Sequence, residues 1–263
     1  FEISINSYYQ IDGIANEWVF AARSSYQGKI PAIDKLTSSL QDDKNFYRTE
    51  ILQPQTGNDS MKYNFRGISQ FSSVRNTDTS STLDKLGFKS DGTNLNLRYQ
   101  NNTLLMDSLF GIKYNITDRN PQKFAFHKLE TQGNQTLYQN EKALSLAFLT
   151  ASPYKDIQFS NLTLDNQKNF LNHLTGQSLT FYQRLYPLKT SSDNPSQGPQ
   201  KAKVEADSFL TYASIEYELY VQNDSQLYVN LPSLEFENED YTDVEIITNG
   251  QVNRYTKIGR AHV

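Results

Sequence analysis

Between Phe46 and Tyr114 the hydrophobic period of the chain changes again and again, and no fold built from a single kind of element accommodates that. Phe46 to Leu52 alternates as a strand, and Gln53 to Ser60, with its Pro, Gly and Asn, reads as a loop. Thr79 to Leu86 predicts a short helix, with Ser80 or Ser81 as its cap and Gly87 as a left-handed stop. Thr103 to Phe110 predicts a second helix, packed through Leu104, Leu105 and Leu109, with Asp107 exposed or capping. Ile112 to Ile116 then returns to strand.

The flanks extend the same mixture. Phe1 to Ile5 alternates as a half-buried strand, and Pro31 to Asp43 predicts a helix with Ile33, Leu36 and Leu40 on one face. Phe124 to Leu129 and Thr136 to Asn140 read as strands. Ser145 to Thr150 is nearly continuous in apolar residues and reads as a central one. Leu164 to Leu174 predicts a helix ended by Gly176, and Leu179 to Leu185 alternates again. Without a regular βαβ period, this part is α+β or mixed α/β. Thr190 to Gln200 shifts to pure loop, either a linker or a long hairpin insertion. From Val204 onward strands dominate, and Asn249-Gly250 is a hairpin signal, which suggests a β-sandwich or jelly roll. The expected division is therefore 1–188, a connecting 189–203, and a β-rich 204–263.

Composition bears on chemistry more than on fold. A formal charge of −4 and a pI near 5.5 leave no basic stripe for nucleic acid phosphates. Cysteine is absent, which removes disulfides, thiol nucleophiles and thiolate metal sites. Three scattered histidines do not make a zinc site. Glu235, Glu237, Glu239, Asp240, Asp243 and Glu245 read as the wet face of a strand rather than a calcium loop. The longest apolar stretch, Ala143 to Ala151, is far short of the ~20 residues that cross a bilayer. No nucleophile–base pair and no phosphate loop is evident, so neither catalytic residues nor a cofactor are expected.

Polar contacts are the remaining candidates. Arg48 and Glu50 lie two apart on one strand and so share a face, either to grip a hydroxyl or phosphate or to pair with each other. Tyr63, Arg66 and Ser69 surround Gly67, whose missing Cβ permits a positive φ or a close backbone approach. The serines there serve a ligand or simply satisfy the turn. Trp18 offers a ring for a sugar face or for a core.

The order Tyr47-Arg48-x-Glu50, Gly67-Ile68-Ser69-x-Phe71-Ser72-Ser73, Leu86-Gly87 and Asp107-Ser108-Leu109-x-Gly111-x-Lys113-Tyr114 resembles the YfhO family of bacterial membrane proteins. Leu137-Tyr138-Gln139-Asn140, with Ala143-Leu144, and Asn166-Gln167, with Phe170-Leu171, continue the resemblance to about residue 185. It implies a soluble piece of a longer polytopic protein, on the extracytoplasmic face of the cell membrane, partnered by the transmembrane part. That family resembles GT-C glycosyltransferases, and its members are implicated in decorating lipoteichoic acid, so a teichoic acid or another glycan is the implied further partner. The fragment is then expected to position an acceptor or brace the membrane part, and not to transfer sugar alone. A free-standing carbohydrate-binding module and a two-carboxylate glycoside hydrolase stand beside this reading.

Overall fold

The computed structural model describes residues 2–17, 23–40, 45–74, 76–90, 96–99, 101–150, 157–186, 188–192, 215–221, 225–229, 243–248 and 251–256. In chain order its elements are α1 (Glu2–Glu17), α2 (Arg23–Gln27), α3 (Ile30–Ser38), β1 (Arg48–Ile51), α4 (Asp59–Lys62), β2 (Gln70–Phe71), α5 (Thr77–Lys85), β3 (Lys89–Ser90) and β4 (Asn96–Arg98). They continue as α6 (Leu104–Leu109), β5 (Ile112–Thr117), β6 (Phe126–Gln132), β7 (Gln135–Asn140), α7 (Thr163–Thr175), β8 (Lys189–Ser192), β9 (Ile215–Glu218), β10 (Asp243–Thr248) and β11 (Gln251–Thr256).

The main sheet has the order β1-β5-β7-β6, with β1 parallel to β5 and the other pairs antiparallel. β5 is enclosed on both faces, and five of its six residues are buried, so it does not alternate. Helix α3 covers one side. Pro31 stands in its first turn, and Ile33, Leu36 and the following Leu40 meet Ile51, Tyr63, Tyr114, Ile116 and Leu137. A second core gathers Leu83, Leu86, Phe88, Leu97, Tyr99, Met106 and Ile112, with Phe170 and Leu171 of α7 against it. The fold is thus mixed α+β, as the changing period implied.

Several expectations give way. Residues 2–17 form a helix, not a strand, and Ile3, Tyr8, Tyr9, Ile11 and Ile14 all stand in solvent. Their alternation covers only five residues, too short a run to tell a strand from one turn of an amphipathic helix. Residues 145–150 make no strand and are exposed. The central place expected for them is taken, because β7 is already paired on both edges by β5 and β6. Residues 179–185 likewise join no ladder. The cap of α5 is Asn76, whose side chain accepts the Thr79 N–H at 2.9 Å, rather than Ser80 or Ser81. Gly87 and Gly176 do take the left-handed conformation, at φ +90° and +67°.

Towards the C-terminus the described strands form two ladders, β8 with β9 and β10 with β11, both antiparallel. The β8–β9 pair flanks residues 193–214, and the β10–β11 register closes from Thr248 to Gln251 around the expected Asn249-Gly250 turn. Those connecting residues lie outside the description, as do Trp18 and the acidic positions 235–240. The strip 225–229 rests on the first half of the chain. The Tyr228 hydroxyl accepts the Leu104 N–H at 3.2 Å, and Gln226 Oε1 accepts the Phe124 N–H at 3.0 Å.

Helix α7 docks through polar side chains as well as Phe170 and Leu171. Asn166 Oδ1 accepts the Ser160 N–H and hydroxyl, while its Nδ2 donates to the Lys85 and Ser160 carbonyls. Gln167 Nε2 donates to the Leu86 carbonyl and to Asn102 Oδ1, and its Oε1 accepts from Thr103 and Tyr182. Every polar atom of both amides is engaged. We expect Asn166→Ala to lower unfolding stability by about 2 kcal/mol in urea denaturation, because it removes all four hydrogen bonds of a buried amide that ties α7 to Lys85 and Ser160. Lys168→Ala, which removes only an exposed pair with Asp165, is expected to change it by less than about 0.5 kcal/mol.

Candidate functional site

Strand β1 and the loop 64–71 build the site. The register of β1 on β5 slips between Arg48 and Thr49, so Arg48 and Glu50 do not meet as the simple two-residue period implied. Arg48 Nη1 donates instead to the Phe110 carbonyl at 2.5 Å, where α6 ends. Glu50, 2 % exposed, turns into the protein.

The Glu50 carboxylate is held by the loop. Oε1 accepts the Ile68 N–H and the Ser69 N–H, and Oε2 accepts the Ser69 hydroxyl at 2.8 Å. The Ser69 hydroxyl in turn accepts the Tyr99 N–H at 2.9 Å, and the Thr49 N–H donates to the Arg66 carbonyl at 2.8 Å. Gly67 allows a close approach: a Cβ there would lie 3.2 Å from Glu50 Oε1 and 3.1 Å from Ser60 Cβ, so both would have to give by a few tenths of an ångström. Burial pushes the Glu50 carboxyl up to about 7, outweighing the three hydrogen bonds that favour the charged form, and Asp107 pushes the same way.

Above this clasp is a cationic, aromatic surface. Arg66 is exposed, and its guanidinium lies 5.1 Å from the ring centre of Phe46, itself 42 % exposed. Arg48 stands 5.5 Å from the same ring. Among the described residues no carboxylate is paired with Arg66. Two guanidinium groups beside one open ring can take a phosphate, a sulfate or a carboxylate, with the ring covering a sugar or alkyl face.

Below it is a buried ionic cluster that sequence reasoning did not find. Lys123 Nζ contacts Asp107 Oδ2 and the Tyr99 hydroxyl and lies 3.2 Å from Asn115 Oδ1. The Tyr99 hydroxyl donates to Asp107 Oδ1 at 2.7 Å. Three acceptors around Nζ match the three protons of an ammonium. Burial pushes the Asp107 carboxyl up and the Lys123 ammonium down, and their contact opposes both shifts. Asp107 is fully buried, and the cap of α6 is Thr103, whose side chain accepts the Met106 N–H, so Asp107 neither caps the helix nor faces solvent. Gln122 and Ala125 flank Lys123 with φ of +51° and +62°, left-handed conformations costly for residues with a Cβ.

The five candidate residues thus divide. Glu50 and Ser69 are joined directly, and Arg48 and Arg66 share Phe46. Tyr63 is 1 % exposed within the α3 core, its hydroxyl donating to Gln55 Oε1 at 2.5 Å. Among the described residues no group of His, Asp and Glu suits a metal ion. None of the described helices is long and apolar enough to cross a membrane.

The sequence profile of the family described as bacterial membrane protein YfhO matches residues 1–262. No curated protein and no solved structure matches the chain.

Proposed function

The chain belongs to the YfhO family of bacterial membrane proteins, and from that premise we propose that it is an extracytoplasmic domain serving cell-envelope glycosylation. In this reading the transmembrane part of the protein carries the transfer chemistry. The domain presents an acceptor polymer to it, with lipoteichoic acid as the first choice. The observation that carries the reading is the Arg66–Phe46–Arg48 surface, because a glycerol-phosphate chain offers both anionic groups and apolar edges. Glu50, Ser69 and Gly67 shape the loop behind it. The sandwich-like character expected of residues 204–263 belongs to the same proposal, as a second glycan-facing part.

The two carboxylates of the site are not placed for catalysis. Glu50 and Asp107 are both sealed from solvent and already bonded within the fold, so neither is placed to meet a glycosidic bond. A two-carboxylate hydrolase needs both acids open to one cleft. Binding of purified lipoteichoic acid to immobilised protein tests the reading. Arg66→Ala is expected to weaken it about tenfold, and raised salt to weaken the wild type similarly. Equal binding by the variant, or equal binding of an uncharged glycan, would remove the basis of the proposal. Sugar transfer by the isolated domain would remove its non-catalytic part.

A further inference from the structure

We propose that anion binding on the Arg48–Phe46–Arg66 surface is coupled to proton uptake at Glu50, the buried carboxyl that closes the loop bearing Arg66. This rests on the anion-binding reading of that surface and adds a control to it. Glu50 stands two residues from Arg48 on β1, and it takes its hydrogen bonds from Ile68 and Ser69, two and three residues after Arg66 on the same loop. One carboxyl group therefore touches the environment of both arginines.

Two effects act in the same direction. Ionised Glu50 places a negative charge behind the guanidinium groups and lowers their attraction for an incoming anion; Arg48 already feels that charge. A charged carboxylate sealed in a dry site also favours any conformation that hydrates it. Here that conformation is the loop lifted away from β1, because Gly67, Ile68 and Ser69 of the loop lie directly against the carboxylate. A proton on Glu50 removes both penalties. The closed loop, with Arg66 over Phe46, is then the favoured state, and an anion that prefers this state draws a proton onto Glu50 by reciprocity.

The other charged groups facing Glu50 do not supply this response. Asp107 on α6 and Lys123 before β6 neutralise each other in contact, and Tyr99 after β4 keeps its proton across the neutral range. Arg48 on the same strand and Arg66 on the loop stay charged throughout. Histidines 127 and 173 lie on β6 and α7, and the comparison with a Glu50 variant subtracts them.

A sulfated oligosaccharide is a suitable probe, since its charge is constant between pH 5.5 and 8.5. Calorimetric binding to the wild type is expected to be about fivefold or more tighter at pH 6 than at pH 8.5. At pH 7 the heat is expected to vary between buffers of different ionisation enthalpy, reporting proton uptake. Glu50→Gln is expected to bind with nearly the same affinity at both pH values. The wild-type buffer test stands even where that variant folds poorly. Binding that depends on Arg66 but shows no proton uptake and no pH dependence overturns the coupling alone. No binding at either pH, or binding indifferent to Arg66→Ala, overturns the anion-binding surface itself.

Discussion

Replacing Lys123 by methionine is expected to lower the unfolding free energy by about 3–5 kcal/mol, the range for stripping one partner from a buried ion pair. The reason lies in what is left behind. Asp107 is fully buried, and without Nζ it keeps only the Tyr99 hydroxyl and loses its cation. Asn115 Oδ1 loses a donor at the same time. The charge need not survive for the site to be repaired. Lys123→Met combined with Asp107→Asn is expected to recover at least half of the loss, since the asparagine oxygen still accepts from Tyr99 and no charge is buried unpaired. Urea unfolding of the four proteins in the cycle measures this. A single-variant loss below about 1 kcal/mol, or a double variant worse than the sum of the singles, would show that the cluster is not the anchor that its geometry describes. Salt should hardly alter the result, because screening does not reach a lysine side chain only 6 % exposed.

The second large effect is a stability that falls as pH rises. Glu50 has a folded-state value near 7, above the ordinary 4.5 that applies when the chain is unfolded. Between these values the folded protein holds a proton that the unfolded chain has released. Raising the pH therefore draws that proton off the folded state against the penalty of burial. The contribution is fully present below pH 4.5, is lost progressively towards pH 7, and changes little above it. Its size is on the order of 3 kcal/mol across the window. Glu50→Gln has no such proton, so the wild-type and variant stability curves should converge or cross as pH rises from about 4.5 to 7.5. Parallel curves throughout that window would mean that Glu50 titrates normally and that the loop does not keep water from it.

These two sites differ in how far the sequence exposed them. Arg48, Glu50, Arg66 and Ser69 stood out because short spacings brought them together: two residues along a strand, three around a glycine. Their directions did not follow from spacing. One register slip in β1 turned Arg48 to Phe110 and left Glu50 to the loop. Phe46, the ring that gives Arg66 its place, was read only as the start of a strand. Lys123 sat in an unremarkable polar stretch, and the one local trace of its importance is the left-handed backbone around it, which side-chain pattern does not encode. Tyr63 looked like a surface residue because its neighbours are polar, yet its ring completes the α3 core.

The sequence by itself determined the mixture of helices and strands, the apolar face of α3, and the glycines that stop α5 and α7. Each of these is local, since side-chain period and backbone sterics act within one or two turns. It also carried the family, because the motifs keep their order along the chain. The tertiary structure alone decided that β5 is the enclosed strand, that 145–150 has no place in the sheet, and that Asp107 meets Lys123. Those outcomes depend on which surfaces remain to be covered once the first elements have paired, and on the penalty of burying a charge without a partner. Neither quantity exists until residues far apart in the chain share one interior.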